Sequence, residues 1–448
     1  MATRSVVRET ETARPAFALG SAAGRALVAS FLGWLFDGYE TYALVLVAGV
    51  AVPQLIAPDQ APQIPIYIGG LLAATLFGWA TGGVIAGILA DYVGRRRMLM
   101  ASILTYAIFT GLTALTPNYP LLLVFRFLTG LGLGAEWAPG AALVGELWPP
   151  SQRGRAAAVL QSALGFGFFL ASAVWLVIGP LGASAWRFMF LIGIVPALLV
   201  LYIRGGVTDP ELWQASARRR AEARERARRG GSLAAEERAL LRFTLAQLWL
   251  SSELRRRLLV LLVMSTSTLI AWWAVSTWIP LYAGQVAGRL GLNGAQWATL
   301  AALVYNAGGV VGYILFGVLA DTLGRRPTTL IYYAGSLPLV VAYFLLAQDP
   351  VILLVVVAVN GFFTLGQFSW MPILLPELFP TSVRGSALAV VFNTSRYLAG
   401  FGPLVAGVLI AQLGGIATAA TVFGLFYLVG LIATPFAGPE TKAQPLPE

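Results

Sequence analysis

The sequence predicts an all-α membrane protein: twelve transmembrane helices arranged as two pseudo-symmetric six-helix bundles, with both termini cytoplasmic. Three observations carry this prediction. Hydrophobic residues make up 58% of the 448-residue chain and charged residues only 11%, against roughly 25% charged in a soluble domain. Apolar runs long enough to span a bilayer, about 20 residues each, recur along the whole chain. The second half also repeats the short charged motifs of the first half in the same order, which marks a duplicated unit.

The apolar runs fall near 24–52, 65–90, 98–115, 120–145, 155–178, 186–204, 257–284, 295–319, 328–346, 351–375, 385–412 and 416–437. Gly and Pro are frequent inside them, which membrane helices tolerate and close packing uses. Residues 1–20 are polar and carry both Glu and Arg, with no short apolar core before a small-residue cleavage site. The first apolar run is therefore expected to stay as an anchor.

Arginine placement orients the spans. With the N terminus inside, the cytoplasmic side holds Arg95, Arg96, Arg97, Arg153, Arg155, Arg325, Arg326, Arg384 and the 205–256 segment, while the opposite side keeps Arg187 and Arg289. That asymmetry is the positive-inside pattern, and it places the chain as a multi-pass protein of the cytoplasmic membrane, in contact with lipid. It also accounts for the net charge of +10, so no nucleic-acid partner is expected.

The long hydrophilic stretch divides the chain into a six-helix bundle over 1–204, a basic linker over 205–256, and a second bundle with a short tail over 257–448. Within the linker, ARRRAEARERARRGGSLAAEERALLRFTLAQLW reads as two surface helices broken at Gly230–Gly231, lying against anionic lipid and the bundle.

The chain has no cysteine and no histidine. Disulfides, thiol chemistry and zinc or haem sites are thereby excluded or strongly disfavoured. Any proton-linked function must use carboxylates, because the usual titrator near neutral pH is missing. No nucleophile–base constellation stands out, so the chain is not read as an enzyme. No cofactor or metal is expected, and the proton is the expected coupling ion.

The repeats are specific. GILADYVGRRR (87–97) matches GVLADTLGRRP (317–327), ELWPPSQRGRA (146–156) matches ELFPTSVRGSA (377–387), and DPELW (209–213) matches GPETK (438–442). The three offsets are all about 230 residues. Parallel repeats related by an axis along the membrane normal, with a substrate site between them near the midplane, are a transporter architecture.

The G-x-L-A-D-x-x-G-R-R loop and its copy resemble the signature of the major facilitator superfamily. The resemblance covers the whole chain. One departure is that Tyr92 and Thr322 stand where a basic residue is usual. Glu146 to Arg153–Gly154, the copy from Glu377 to Arg384–Gly385, and the Pro-Glu pairs after spans 6 and 12 are similar to the sugar porter and organic-ion branches. The stretch GLGLGAEWAPGAALVGELWP (130–149) is most similar to sialate and lactate proton symporters. DGYE is similar to the D-G-[FY]-D of that family and of aromatic acid–proton symporters, with Glu40 in place of the second Asp. The resemblance implies the twelve-helix fold and secondary transport of a small molecule. The working unit is expected to be a monomer.

At the cytoplasmic loops, Asp91 and Arg95 close span 2, and Asp321 and Arg325 close span 8. Glu146 with Arg153, and Glu377 with Arg384, sit across the loops after spans 4 and 10. Carboxylates and guanidinium forks at one depth form bidentate pairs between neighbouring helices. Such pairs are expected to latch the cytoplasmic side when the halves rock. The alternative is that these arginines serve topology alone.

Five ionisable residues fall inside spans: Asp37, Glu40, Arg126, Glu136 and Arg396. Their charges sum to −1, so one bound proton makes the set neutral. A carboxylate in hydrocarbon costs at least ~2.5–3.5 kcal/mol, so such residues point to function. Asp37 and Glu40 share a helical face at i and i+3. Resemblance to sugar porters implies that Glu40 pairs with Arg126 and that this pair responds to protonation, with Asp37 one turn away as an alternative or second site.

Glu136 has Gln367 as its counterpart in the repeat. It is read as a group for a substrate hydroxyl or amine, as a proton carrier, or as a partner of Arg126. Arg396 stands nearly alone in the second half. It reads as an anion receptor, whose fork matches a carboxylate, as a side chain that snorkels to the membrane surface, or as a partner of Asp37 or Glu136 across the axis. The aromatics Trp272, Trp273, Trp278, Tyr282, Tyr305, Phe368, Trp370 and Tyr397 are candidates for the lining, together with the polar Gln161, Asn306, Asn360, Gln367, Ser369 and Asn393.

The reading is a proton-coupled symporter of a small organic carboxylate. Its alternative is a carrier of organic cations, zwitterions or sugars that uses the acids of the first half.

Overall fold

The computed structural model describes residues 20–399, 413 and 415–447. These form helices and short turns, with no strand among the described residues. The first half contains α1 (Ala22–Ala51), α2 (Ile64–Val93), α3 (Arg95–Ala114), α4 (Tyr119–Leu147), α5 (Arg153–Ile178), α6 (Ala185–Ile192) and α7 (Leu199–Gly206). The second contains α11 (Ser252–Ser276), α12 (Ile279–Arg289), α13 (Gly294–Thr322), α14 (Arg325–Val341), α15 (Pro350–Gly366), α16 (Trp370–Leu378), α17 (Arg384–Ala399), α18 (Ile416–Gly424) and α19 (Phe426–Ala433). Between the two lie α8 (Glu211–Arg228), α9 (Ala235–Leu241) and α10 (Thr244–Leu250). The linker thus carries three helices, not two.

Eleven helical segments among the described residues are long and apolar enough to cross a bilayer. The expected span over 385–412 is described as far as Ala399, and its remainder lies outside the described residues. Several spans are interrupted where proline removes a backbone donor and crowds the preceding turn. The sixth span breaks between α6 and α7 at a turn over Val195–Leu198 containing Pro196. The seventh breaks at Trp278, with Pro280 opening α12.

Spans 3 and 5 begin earlier than the hydropathy suggests. Arg95 and Arg153 lie in the first turn of α3 and α5, and both are buried. A single residue, Gly94, joins α2 to α3, and two residues, Leu323 and Gly324, join α13 to α14. Gly94 has φ 111° and Gly324 has φ 114°, a region that a side chain reaches only under strain. A methyl group at Gly94 would fall 2.9 Å from Asp209 Oδ2, and one at Gly324 would fall 3.0 Å from Glu440 Oε2. Gly94→Ala or Gly324→Ala is expected to lower stability by about 1–3 kcal/mol, read as a reduced midpoint of thermal unfolding in detergent.

Those two carboxylates have a purpose at the same turns. Asp209 Oδ1 accepts from the Arg96 N–H at 2.9 Å. Glu440 accepts from the Arg325 and Arg326 N–H groups at 2.9 and 3.0 Å. Each caps the N-terminus of the helix that follows the loop. The repeat aligns Glu211 with Glu440, but Glu211 is exposed, and the shorter Asp209 two positions earlier takes the role.

The halves meet along two seams, α2 against α17 and α5 against α13. Glycines set the approach. A methyl at Gly87 would fall 2.0 Å from the Ala389 Cβ, and one at Gly317 would fall 2.4 Å from the Ala158 Cβ.

Candidate functional site

Two sets of charged groups are built on this frame. The first closes the arginine-rich end. Asp91 accepts from the Gly385 and Ser386 N–H groups at 3.0 and 2.9 Å and from the Ser386 hydroxyl at 2.7 Å. Asp321 accepts from the Gly154 and Arg155 N–H groups at 3.2 and 3.0 Å. Each carboxylate therefore sits on the N-terminus of a helix in the other half, α17 or α5, where free N–H groups favour an anion. Arg95 holds Asp91 at 3.0 Å, and Arg325 holds Asp321 at 3.0 Å.

The expected partners of Glu146 and Glu377 are corrected here. Glu146 is bound by Arg95 at 3.2 Å and by Arg384 of the other half at 2.7 Å. Glu377 takes a bidentate pair from Arg325, at 2.8 and 3.0 Å, and a third contact from Arg153 of the other half at 3.2 Å. The arginines after spans 4 and 10 thus exchange halves. The cause is local: Arg153 Nε donates to Gly145 O and Arg384 Nε to Pro376 O, both at 2.9 Å. That contact pins the near edge of each fork to its own loop and aims the far nitrogens across the seam.

The linker and tail join this end, which the sequence reading did not anticipate. Arg220 of α8 donates to Asp91 O at 2.9 Å and to Ser382 O at 3.0 Å, so one guanidinium ties both halves. It lies 4.8 Å from the Tyr92 ring centroid, so a cation–π contact supplies from the linker the charge that Tyr92 lacks. Burial lowers the Arg220 pKa from its usual value, with Asp91 opposing. Arg153 donates to Gln444 O at 3.3 Å and Arg384 to Pro447 O at 2.9 Å, so the tail bridges the same seam. The duplicated Pro-Glu motifs were the signal that these segments return to the loops.

The second set lies at membrane depth. Arg126 Nη1 meets Glu40 Oε2 at 3.1 Å, with both side chains fully buried. Asp37 and Glu136 are buried, and none of their carboxyl oxygens has a hydrogen-bond partner among the described residues. Arg396 makes no ion pair among them either. Its guanidinium carbon stands 4.0 Å from the Trp79 ring centroid and 4.1 Å from that of Phe392, and Nη1 is unpartnered. Asp37 lies within its electrostatic reach but does not contact it.

Arg396 faces a narrow cavity of about 50 Å³ between the halves. From the first half it is lined by Trp34, Thr41, Leu76, Trp79, Gln161, Leu164 and Phe168, and from the second by Leu269, Trp272, Trp273, Tyr313, Phe368, Phe392 and Arg396. Of the sequence candidates, Arg396, Gln161, Trp272, Trp273 and Phe368 stand in this wall. Gln161 accepts from Trp137 Nε1 at 3.1 Å.

The other candidates stand behind or beside the wall. Asn393 packs against Gly83 and donates to Ala389 O at 3.1 Å. Gln367 donates to Thr364 O at 3.3 Å, and Trp370 to Thr268 Oγ1 at 3.4 Å, both fully buried. Tyr305 pairs with Thr364 at 2.8 Å, and Tyr397 with Thr81 at 2.6 Å. Glu136 packs against Gly33, and Asn306 lies on α13 outside the lining. Asn393 and Gln367 are held by backbone carbonyls, and Trp370, Tyr305 and Tyr397 by threonine hydroxyls, and none of them lines the cavity.

The sequence reading also missed Trp34, Trp79, Tyr313 and Phe392. Helical spacing carried the signal for two of them: Trp34 is three residues before Asp37, and Phe392 is four before Arg396. The wall is thus a box of aromatic faces with one unpaired fork. Chemically it suits a flat, partly apolar anion.

The family profile described as Major Facilitator Superfamily matches residues 47–401 and 285–448. The chain is 30% identical to a metabolite transport protein of Haemophilus influenzae, over 94% of this chain and 97% of that one. It is 27% identical to a gentisate transporter of Corynebacterium glutamicum, over 92% and 87%. The fold is similar to that of the proton:xylose symporter XylE bound to 6-bromo-6-deoxy-D-glucose, with TM-score 0.75, 22% identity, and coverage of 95% of this chain and 98% of that one. Two repeated helical halves, charged contacts exchanged between their loops and a cavity between them thus belong to a multi-pass membrane transporter, not an enzyme, and the chain is a member of the Major Facilitator Superfamily.

Proposed function

We propose that the chain is a proton-coupled symporter that imports a small organic carboxylate by alternating access. The single observation behind this reading is Arg396: an unpaired guanidinium, stacked between Trp79 and Phe392, facing an aromatic cavity. A gentisate transporter among the relatives handles an aromatic carboxylate, which suits the same wall. In the cycle, Asp37 or Glu40 takes a proton from outside, and the substrate carboxylate docks on Arg396. The cytoplasmic latch formed by Asp91, Arg95, Glu146, Arg153, Asp321, Arg325, Glu377 and Arg384 then opens, and both ligands leave inward.

Glu40 can alternate between its Arg126 pair and a protonated state, whereas Asp37 has no partner to release. The test is uptake into proteoliposomes of gentisate, nicotinate and benzoate under an acid-outside gradient. Wild type is expected to accumulate at least one of them above equilibrium. Asp37→Asn or Glu40→Gln is expected to abolish gradient-driven accumulation while leaving exchange of the same compound. Full accumulation by both variants would defeat the carboxylate switch.

A further inference from the structure

A second, larger cavity lies between the halves, beyond the one at Arg396. It holds about 710 Å³, and no charged side chain stands in its wall. Four spans carry both cavities. Along α1 the wall passes from Thr41 to Leu46, along α5 from Phe168 to Leu176, along the seventh span from Trp273 to Pro280, and along α13 from Tyr313 to Ala302. In each span the residue on the larger cavity lies nearer the end opposite the arginine-rich loops.

One ring contact divides the two spaces. Phe168 lines the narrow cavity and Tyr42 lines the larger one. Their rings stack, with centroids 5.2 Å apart and planes at 27°. The backbones beneath them are fixed. Gly38 stands one turn before Tyr42, and Gly167 stands beside Phe168. A methyl at Gly38 would fall 2.4 Å from Leu164 O, and one at Gly167 would fall 2.0 Å from Leu35 O, so α1 and α5 are already in close contact. Both helices belong to the same half, so rocking of the halves does not draw the rings apart. A solute passes only if a side chain turns, and Tyr42 borders the larger cavity and has room to do so.

We propose that the Tyr42 ring is a door between a receiving cavity on the outer side and the Arg396 cavity. This rests on the reading of the chain as an importer of a flat carboxylate. The receiving cavity offers the aromatic faces of Tyr42, Phe169 and Trp175 and no charge. It therefore takes the apolar ring of such an anion and leaves the carboxylate to water. The ion pair with Arg396 forms only after the door has turned.

The test uses no substrate. The chain has no cysteine, so single cysteines report access without background. Ser172→Cys reports the larger cavity, and Leu269→Cys reports the narrow one, where Leu269 is only 2% exposed. An anionic, membrane-impermeant methanethiosulfonate is added outside right-side-out vesicles. Ser172→Cys is expected to react readily and Leu269→Cys slowly. Tyr42→Ala is expected to speed the Leu269→Cys reaction several-fold to about tenfold, the scale of one lost aromatic stack, and to leave the Ser172→Cys rate unchanged. Phe168→Ala removes the other ring and is expected to act alike, whereas Tyr42→Phe keeps the slow rate. An unchanged Leu269→Cys rate in both alanine variants overturns the door, as does an equal acceleration in Tyr42→Phe. An unreactive Ser172→Cys means that the larger cavity opens to lipid, and overturns its receiving role. These results leave carboxylate uptake standing. Conversely, a wild type without such uptake removes the importer reading while the labelling pattern persists.

Discussion

Arg396→Ala is expected to weaken binding of the transported carboxylate about 100-fold, a loss of roughly 3 kcal/mol. The magnitude follows from the setting. The guanidinium has no carboxylate partner among the described residues and is held between two aromatic faces at 4.0 and 4.1 Å. Its fork is therefore pre-oriented and free to bind an anion, with little rotamer freedom left to lose. Arg396→Lys keeps the charge but loses the planar fork and much of the stacking, so it is expected to recover only part of the affinity. Calorimetry with gentisate, nicotinate and benzoate checks both variants. A carrier of cations or zwitterions that uses the acids of the first half would bind its solutes equally well or better after Arg396→Ala, so that outcome would support the rival reading and sink this one.

The second large effect is expected at the arginine-rich end. Glu377→Gln leaves Arg325 and Arg153 facing a neutral amide, and both guanidinium groups are buried. Removing one partner of a buried charge network costs about 3–5 kcal/mol. The cost falls on the closed arrangement, because opening brings the arginines to water. A shift of that size moves a two-state equilibrium by about 100-fold or more. Glu146→Gln is expected to act similarly through Arg95 and Arg384. The chain has no native cysteine, so spin labels on Ser151→Cys and Thr322→Cys report the seam without background. Pulsed distance measurements should show a longer population in either Gln variant. An unchanged distribution in both would mean that the helix-terminus contacts of Asp91 and Asp321 hold the end closed alone.

Much of this molecule is legible along the chain. The apolar runs, the duplicated loops and the five charges at membrane depth are local properties of sequence, and each maps onto a helix or turn where described. The pair of Glu40 with Arg126 was implied by resemblance, and it is present at 3.1 Å. The cavity was less legible. Trp34 and Phe392 follow from helical spacing to Asp37 and Arg396. Asn393, Gln367 and Trp370, by contrast, are polar or amphipathic residues at plausible depth that the helix rotations turn into packing. Rotation about a helix axis depends on what packs against it, and a nearly uniform apolar helix carries little periodic signal to reveal it.

The sequence by itself determined that this chain spans a membrane in two repeated halves, that its arginines gather at the loops between particular spans, and that no histidine is available for proton chemistry. Hydrophobic length, charge exclusion and the absence of histidine decide those matters residue by residue. Only the tertiary structure decided that Arg153 and Arg384 cross to the opposite half, that Arg220 and the tail carbonyls bridge the same seam, and that Arg396 is left unpaired beside Trp79. The reason is physical. A guanidinium has five donors and a long stem, so its partner is set by the carbonyls and carboxylates that packing brings within reach, and for Arg153 and Arg384 the carboxylates come from more than 200 residues away in the chain.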